Sequence, residues 1–174
     1  ESARGVLAAQ EIAAVPGVRF LAMGGVDLQR DLNTSGGNLQ TLYARSHLVV
    51  ASRAAGIEPP IDSVFPLLDD TAGLRDQAQF ARSLGFFGKS AIHPRQLDTL
   101  HEVFTPTQAE IEWARQVLAG FEATSGGGFA LPSGEFVDLP VADRARRLLE
   151  IAGSPVTGAN SPAPATGAGP DQPR

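Results

Sequence analysis

The chain has no cysteine among its 174 residues. That excludes disulfide bridges and thiolate metal sites, and it fits a reducing, cytoplasmic setting. No apolar run approaches the roughly 18 residues that a membrane helix needs, so no membrane partner is expected. Basic residues are the minority: 14 Lys and Arg stand against 19 Asp and Glu, a formal net charge of −5. That leaves no basic footprint for nucleic acid. The start, Glu1-Ser2-Ala3-Arg4-Gly5, has neither the basic head nor the apolar stretch of a signal peptide. It also lacks an initiating Met, and the chain reads as beginning partway through a larger fold.

Several catalytic signatures are missing as well. There is no Gly-x-Ser-x-Gly elbow and no His-Glu-x-x-His helix. Gly88-Lys89-Ser90 resembles the tail of a P-loop, but the position of the required leading glycine holds Ser83. Lys89 therefore reads as a strand residue. No Gly-x-Gly-x-x-Gly turn supports a doubly wound, dinucleotide-binding sheet.

What remains is the composition of a folded domain, with 19% charged residues. Helical and extended patterns alternate along the first half. Residues 2–14 carry helix formers and stop at Pro16-Gly17. Residues 18–23 form a short apolar strand followed by Gly24-Gly25. Asn38 is placed to cap a helix running to Ala55, with Gly56 as its terminator. Residues 61–68 predict a second strand, shortened by Pro66. A helix over 71–84 closes at Gly85, and residues 86–92 predict a third strand. Beyond that the rhythm changes. Residues 95–104 look helical, and Thr105-Pro106-Thr107-Gln108 reads as a capping box opening a helix to about Thr124. Residues 125–137 predict a loop or small hairpin, and residues 140–152 a last helix. From Gly153 onward, Gly, Ser, Pro, Ala, Thr and Asn dominate, a composition that predicts a disordered tail.

Strands separated by helices imply βαβ units and a parallel sheet. A complete (β/α)₈ barrel takes roughly 250 residues. The expected fold is therefore α/β: the second half of a TIM-type barrel with a C-terminal helical extension. The expected divisions are 1–94 for the barrel half, 95–153 for the extension and 154–174 for the tail. An open doubly wound sheet is the alternative.

Glu1 and Asp27 each lie just beyond a strand, real or inferred, and before a helix. Barrel active sites are built at such C-terminal strand ends, and two carboxylates there can hold one hard cation such as Mg²⁺. The competing reading makes Glu1 an exposed end and Asp27 a helix N-cap. His93 ends the third strand before Pro94, and a lone histidine is more often structural than catalytic.

Six segments, in order, carry a family resemblance. They are Glu1-Ser2-Ala3-Arg4-Gly5-Val6, Gly25-Val26-Asp27-Leu28, Tyr43-Ala44-Arg45-Ser46, the run from Gly85-Phe86-Phe87-Gly88 through Ile92-His93-Pro94, Phe104-Thr105-Pro106-Thr107 and Val137-Asp138-Leu139-Pro140. Together they resemble citrate lyase β subunits and the related malyl-CoA and citramalyl-CoA lyases. The resemblance implies Mg²⁺ held by Glu1 and Asp27, and a thioester contact at Ile92 and His93. It also implies a catalytic Asp138 lent by a neighbouring subunit, hence a homo-oligomer. The reaction implied is cleavage of a 3-hydroxyacyl-CoA to acetyl-CoA and a 2-oxo acid, with backbone amides around Gly25 and Val26 holding a substrate carboxylate. Two departures stand out: Asn33 follows Asp31-Leu32 where the family usually has glycine, and Val26 replaces a residue that is often acidic. The rivals are an aldolase of the same superfamily acting on free 2-oxo acids, a thioesterase, and a non-catalytic truncated or assembly subunit. The 174 residues alone are expected to be inactive, because the substrate-gripping Arg should lie in the front half of the barrel.

Overall fold

The computed structural model describes residues 1–35 and 37–153. The expected disordered tail lies outside the described residues. The chain divides into two compact units, Glu1–Thr105 and Pro106–Arg174.

The first unit opens with two short helices, α1 (Ala3–Leu7) and α2 (Ala9–Ala13), in place of the single helix expected over 2–14. Ser2 caps α1 by accepting from the Gly5 N–H, and the backbone slips at Ala8 (φ −92°, ψ 10°). An extended segment then runs to Gly24 and into α3 (Gly25–Leu32). Helix α4 (Leu42–Ala54) begins four residues later than Asn38. The reason lies in the turn before it, where the Thr41 hydroxyl donates to the Gly37 carbonyl at 2.7 Å and helical pairing starts only afterwards. Gly56 terminates α4 as expected, at φ 68°.

Strand β1 (Ile61–Asp62) leads to α5 (Thr71–Leu84), which Asp70 caps and Gly85 ends at φ 105°. Strand β2 (Gly88–Lys89), a 3₁₀ turn at Pro94–Gln96 and α6 (Leu97–Phe104) complete the unit. β1 and β2 pair in parallel, Ile61 opposite Gly88 and Asp62 opposite Lys89. The predicted strand over 18–23 survives as an extended segment with one parallel bridge, Ala22 to Ile61. Its Leu21 carbonyl accepts from Ile61 N–H, and Met23 N–H donates to the Ile61 carbonyl. All three runs are parallel, so their C-terminal ends share one edge. That is the α/β pattern expected, with far less regular pairing than the apolar runs suggest.

Two apolar clusters hold this unit. Val6, Ala9, Ala13, Leu21, Met23, Leu28, Ala44, Leu48 and Ala51 form one, in which small residues let α2 approach α4 closely. Phe65, Leu74, Ala78, Leu100 and Val103 form the other, so α6 packs with α5 and belongs to this unit rather than to an extension starting at residue 95.

In the second unit, α7 (Gln108–Ala123) carries a capping box, but its partners are Thr107 and Glu110. The cap thus falls two residues beyond Thr105, and Pro106 precedes the helix. A small antiparallel hairpin follows, β3 (Phe129–Ala130) with β4 (Phe136–Val137), then α8 (Leu139–Ile151). Val117, Phe121, Leu131, Val137, Ala142, Ala145 and Leu149 bury one another in its core.

Candidate metal and substrate site

The Glu1 side chain lies against the turn between the extended segment and α3, the helix that bears Asp27. A Cβ at Gly24 would stand 2.0 Å from Glu1 Cγ and 2.7 Å from its Oε1, so the Glu1 side chain lies in a space that only glycine leaves open. The Ala3 N–H donates to Asp31 Oδ2 at 2.7 Å, tying the start of α1 to the helix that bears Asp27. Leu28 is fully buried and fixes how α3 rotates on its cluster; burial of such a side chain is worth about 2 kcal/mol. Asp27 is left facing outward. It is not the N-cap of α3, which is Gly24, but the third residue inside the helix. There a carboxylate is favoured by the helix dipole. Its ion pair to Arg30, at 3.3 Å, joins two exposed side chains and is of the kind worth little in water.

This donor set fits a magnesium ion in kind. Mg²⁺ is usually held by one or two carboxylates, with water and substrate oxygens completing an octahedron. Among the described residues no group of three or more His, Cys, Asp or Glu is gathered for a metal, so a fit to Mg²⁺ here would rest on two carboxylates, with water and substrate oxygens supplying the other ligands.

Gly25, Val26, Ile92 and His93 follow the C-terminal ends of the parallel runs. Gly25 N–H donates to Ser63 Oγ at 2.9 Å, and a Cβ at Gly25 would stand 2.6 Å from that oxygen. The Gly25 amide is therefore engaged by the protein itself. The amides of Val26 and Asp27, in the first helical turn, have no acceptor within the helix. The Val26 side chain is 51% exposed. Past β2, Ile92 is also half-exposed, with its N–H donating to Gln96 Oε1 at 3.0 Å. His93 caps the 3₁₀ turn, its Nδ1 accepting from the Arg95 N–H at 3.2 Å. That structural task places the proton of a neutral ring on Nε2.

Behind this edge lies a cluster that the sequence reading did not assemble. Asp62 is fully buried between two cations. Arg45 Nε donates to its Oδ1 at 2.8 Å and Lys89 Nζ to its Oδ2 at 2.8 Å. Lys89 Nζ also donates to the Ser63 carbonyl at 2.7 Å and to Gln77 Oε1 at 2.6 Å. Arg45 further donates to the Thr41 hydroxyl. Desolvation pulls the Lys89 ammonium below the usual lysine range, and the Asp62 charge opposes that pull. The available signal was three charged residues set inside apolar runs, each requiring a buried partner. In the second unit, Asp138 caps α8, with Oδ1 accepting from the Val141 N–H at 3.4 Å.

Comparison with known proteins identifies the family. Residues 1–94 match the model of the HpcH/HpaI aldolase/citrate lyase family. The citrate lyase subunit beta of Escherichia coli (strain K12) is 40% identical over 157 residues, covering 87% of this chain and 52% of that protein. A (3S)-malyl-CoA thioesterase of Cereibacter sphaeroides is 39% identical over 143 residues, covering 79% of this chain and 50% of the other. The crystal structure of CitE from Mycobacterium tuberculosis, in complex with magnesium, acetoacetate and coenzyme A, aligns with a TM-score of 0.75 at 31% identity, covering 88% of this chain and 59% of that one. The chain thus spans about half the length of the relatives it matches. With its strand-end edge inside the matched segment and its likeness running on past it, this chain belongs to the HpcH/HpaI aldolase/citrate lyase family.

Proposed function

We propose that this chain forms part of a Mg²⁺-dependent lyase that cleaves a 3-hydroxyacyl-CoA to acetyl-CoA and a 2-oxo acid, within a TIM-type barrel whose other strands lie outside these residues. The observation that carries the reading is the Glu1 carboxylate seated on Gly24, beside the helical turn that bears Asp27. The magnesium held by CitE from Mycobacterium tuberculosis, together with its acetoacetate and coenzyme A, supports it.

Glu1 and Asp27 would hold the ion, which when bound supplies Lewis-acid polarisation of the substrate's hydroxyl or oxo oxygen. The Val26 and Asp27 amides, at the positive end of α3, bind and orient the adjacent carboxylate. Ile92 and His93 border the thioester portion. In the cleavage direction the bond from the carbinol carbon to the thioester α-carbon breaks, its electron pair passes into the thioester enolate, and the hydroxyl proton passes to solvent water. Asp138 from a neighbouring subunit delivers a proton to the enolate carbon, giving the acetyl methyl group.

A thioesterase is the second reading, favoured by the 39% identity to the (3S)-malyl-CoA thioesterase. The products separate the readings. A lyase yields a 2-oxo acid with the thioester intact, whereas a thioesterase releases free coenzyme A thiol. An aldolase of the same superfamily would turn over without coenzyme A.

In the natural full chain, Asp27→Ala should lower both Mg²⁺ affinity and turnover by more than the roughly 10–100-fold that loss of a ligand's supporting group costs. Its melting temperature should barely move, since Asp27 is exposed. Wild-type Mg²⁺ affinity in Asp27→Ala, measured by titration calorimetry, would remove the metal assignment.

A further inference from the structure

We infer that Ser63 is a positioning residue for metal binding: its hydroxyl locks the Gly24–Gly25 turn in the geometry that lets Glu1 and Asp27 share one cation. The inference rests on the metal reading above.

Three observations converge on it. Ser63 Oγ accepts the Gly25 N–H at 2.9 Å inside the protein, across 38 residues of sequence. The approach is close enough that a Cβ on Gly25 would stand 2.6 Å from that oxygen and 2.8 Å from the Ser63 Cβ, so the turn and the serine fit each other with no slack. Ser63 is itself anchored from behind. Its carbonyl accepts from Lys89 Nζ at 2.7 Å, and the same ammonium donates to Asp62 Oδ2 and Gln77 Oε1. Arg45 holds the other Asp62 oxygen.

The chain of contacts therefore runs from a buried charge cluster, through one serine, to the turn on which Glu1 lies and from which α3 departs. Glu1 is held against Gly24, one residue before the amide that Ser63 binds, and Asp27 stands two residues after it. A small rotation of the Gly24–Gly25 peptides would move the two carboxylates apart, because only one of them is carried on α3. Outer groups that orient metal ligands typically control affinity by about 10–100-fold. Ser63 does this through the backbone rather than by touching a carboxylate. It also has a consequence for the substrate: with the Gly25 amide engaged, carboxylate recognition falls to the amides of Val26 and Asp27.

The test uses the natural full chain, with Mn²⁺ titrated by electron paramagnetic resonance and Mg²⁺ measured by competition. Ser63→Ala should weaken both ions about 10-fold and raise the Mg²⁺ concentration for half-maximal rate. The rate at saturating Mg²⁺ should stay near wild type. Ser63→Thr, which keeps the acceptor, should restore affinity. A role confined to packing would lower the melting temperature without moving affinity in the folded protein. Wild-type affinity in Ser63→Ala, alongside lost affinity in Asp27→Ala, would overturn the positioning role alone. Wild-type affinity in both would overturn the metal reading and this inference with it. Should Ser63→Ala fail to fold, Ser63→Gly takes its place, since it also removes the hydroxyl and adds no bulk at the turn; wild-type affinity there would overturn the role equally.

Discussion

Lys89 is the chain's single lysine, and it is buried. Desolvation is the largest influence on it and disfavours the ammonium; Asp62 offsets part of that cost and Arg45 adds to it. Its folded pKa therefore lies below its unfolded value of 10.5. Between those two values the unfolded chain binds more protons than the folded one, so Lys89's contribution to stability rises with pH up to about 10.5 and is lost as pH falls through the lowered value. Urea denaturation at a series of alkaline pH values should give wild type a more positive slope of stability against pH than Lys89→Met. Superimposable slopes would mean that the ammonium is not desolvated. The neighbouring departures from the family pattern also have residue-scale explanations. Asn33 ends α3 in the left-handed region, at φ 52° and ψ 44°. That region favours glycine and tolerates asparagine better than most residues, so the replacement of the family's glycine is compatible with the same helix end. Val26 leaves Asp27 without an acidic neighbour in sequence, which lowers the charge repulsion at the turn proposed to hold the metal.

Elements whose two ends carried local chemistry were legible in the sequence, and those defined by partners were not. Helix α5 matches its expected span of 71–84 because Asp70 caps one end and Gly85 ends the other. The strands contracted to residue pairs because the apolar pattern reports burial, while pairing needs a neighbour that sequence alone does not supply. The same limit hid Arg45, Asp62 and Lys89, whose hydrogen bonds span 17 and 27 residues and leave no local spacing to recognise. Glu1 and Asp27 could be nominated from their places just beyond strand ends; Ser63, whose hydroxyl accepts the Gly25 N–H across 38 residues, had no local pattern to mark it. At the start of α7 the chemistry was legible but displaced, with the reciprocal pair at Thr107 and Glu110: the Glu110 N–H donates to Thr107 Oγ1 at 3.2 Å, and the Thr107 N–H to Glu110 Oε2 at 2.7 Å. Thr107→Ala should cost about 1 kcal/mol of stability, read by chemical denaturation, and Thr107→Ser should recover most of it. An equal loss in Thr105→Ala with none in Thr107→Ala would return the cap to the position first read from sequence.

At the scale of the whole molecule, the chain covers about half of its relatives' length, and Asp138 belongs to a different compact unit from Glu1 and Asp27. Its carboxylate caps α8, yet capping alone does not require a carboxylate, because asparagine caps about as well. The choice between cap and proton donor is therefore accessible to one substitution. Asp138→Asn should keep the helix and the melting temperature while removing the group proposed to exchange a proton with the acetyl carbon. If that group serves a neighbouring subunit, the protein must be an oligomer, and the defect must be separable from the metal defect. Full-length Asp27→Ala and Asp138→Asn proteins, each nearly inactive alone, should regain activity when mixed under conditions of subunit exchange, because some interfaces then join an intact metal site to an intact Asp138. In a dimer with random exchange, about half of the molecules are mixed and each carries one complete site of two. The ceiling is thus roughly a quarter of wild-type activity if capping stability is unaffected. Exchange demonstrated by mass-tagged subunits with no return of activity would place Asp138 in its own subunit's chemistry or leave it as a cap alone. Full activity in Asp138→Asn by itself would assign it to the cap directly.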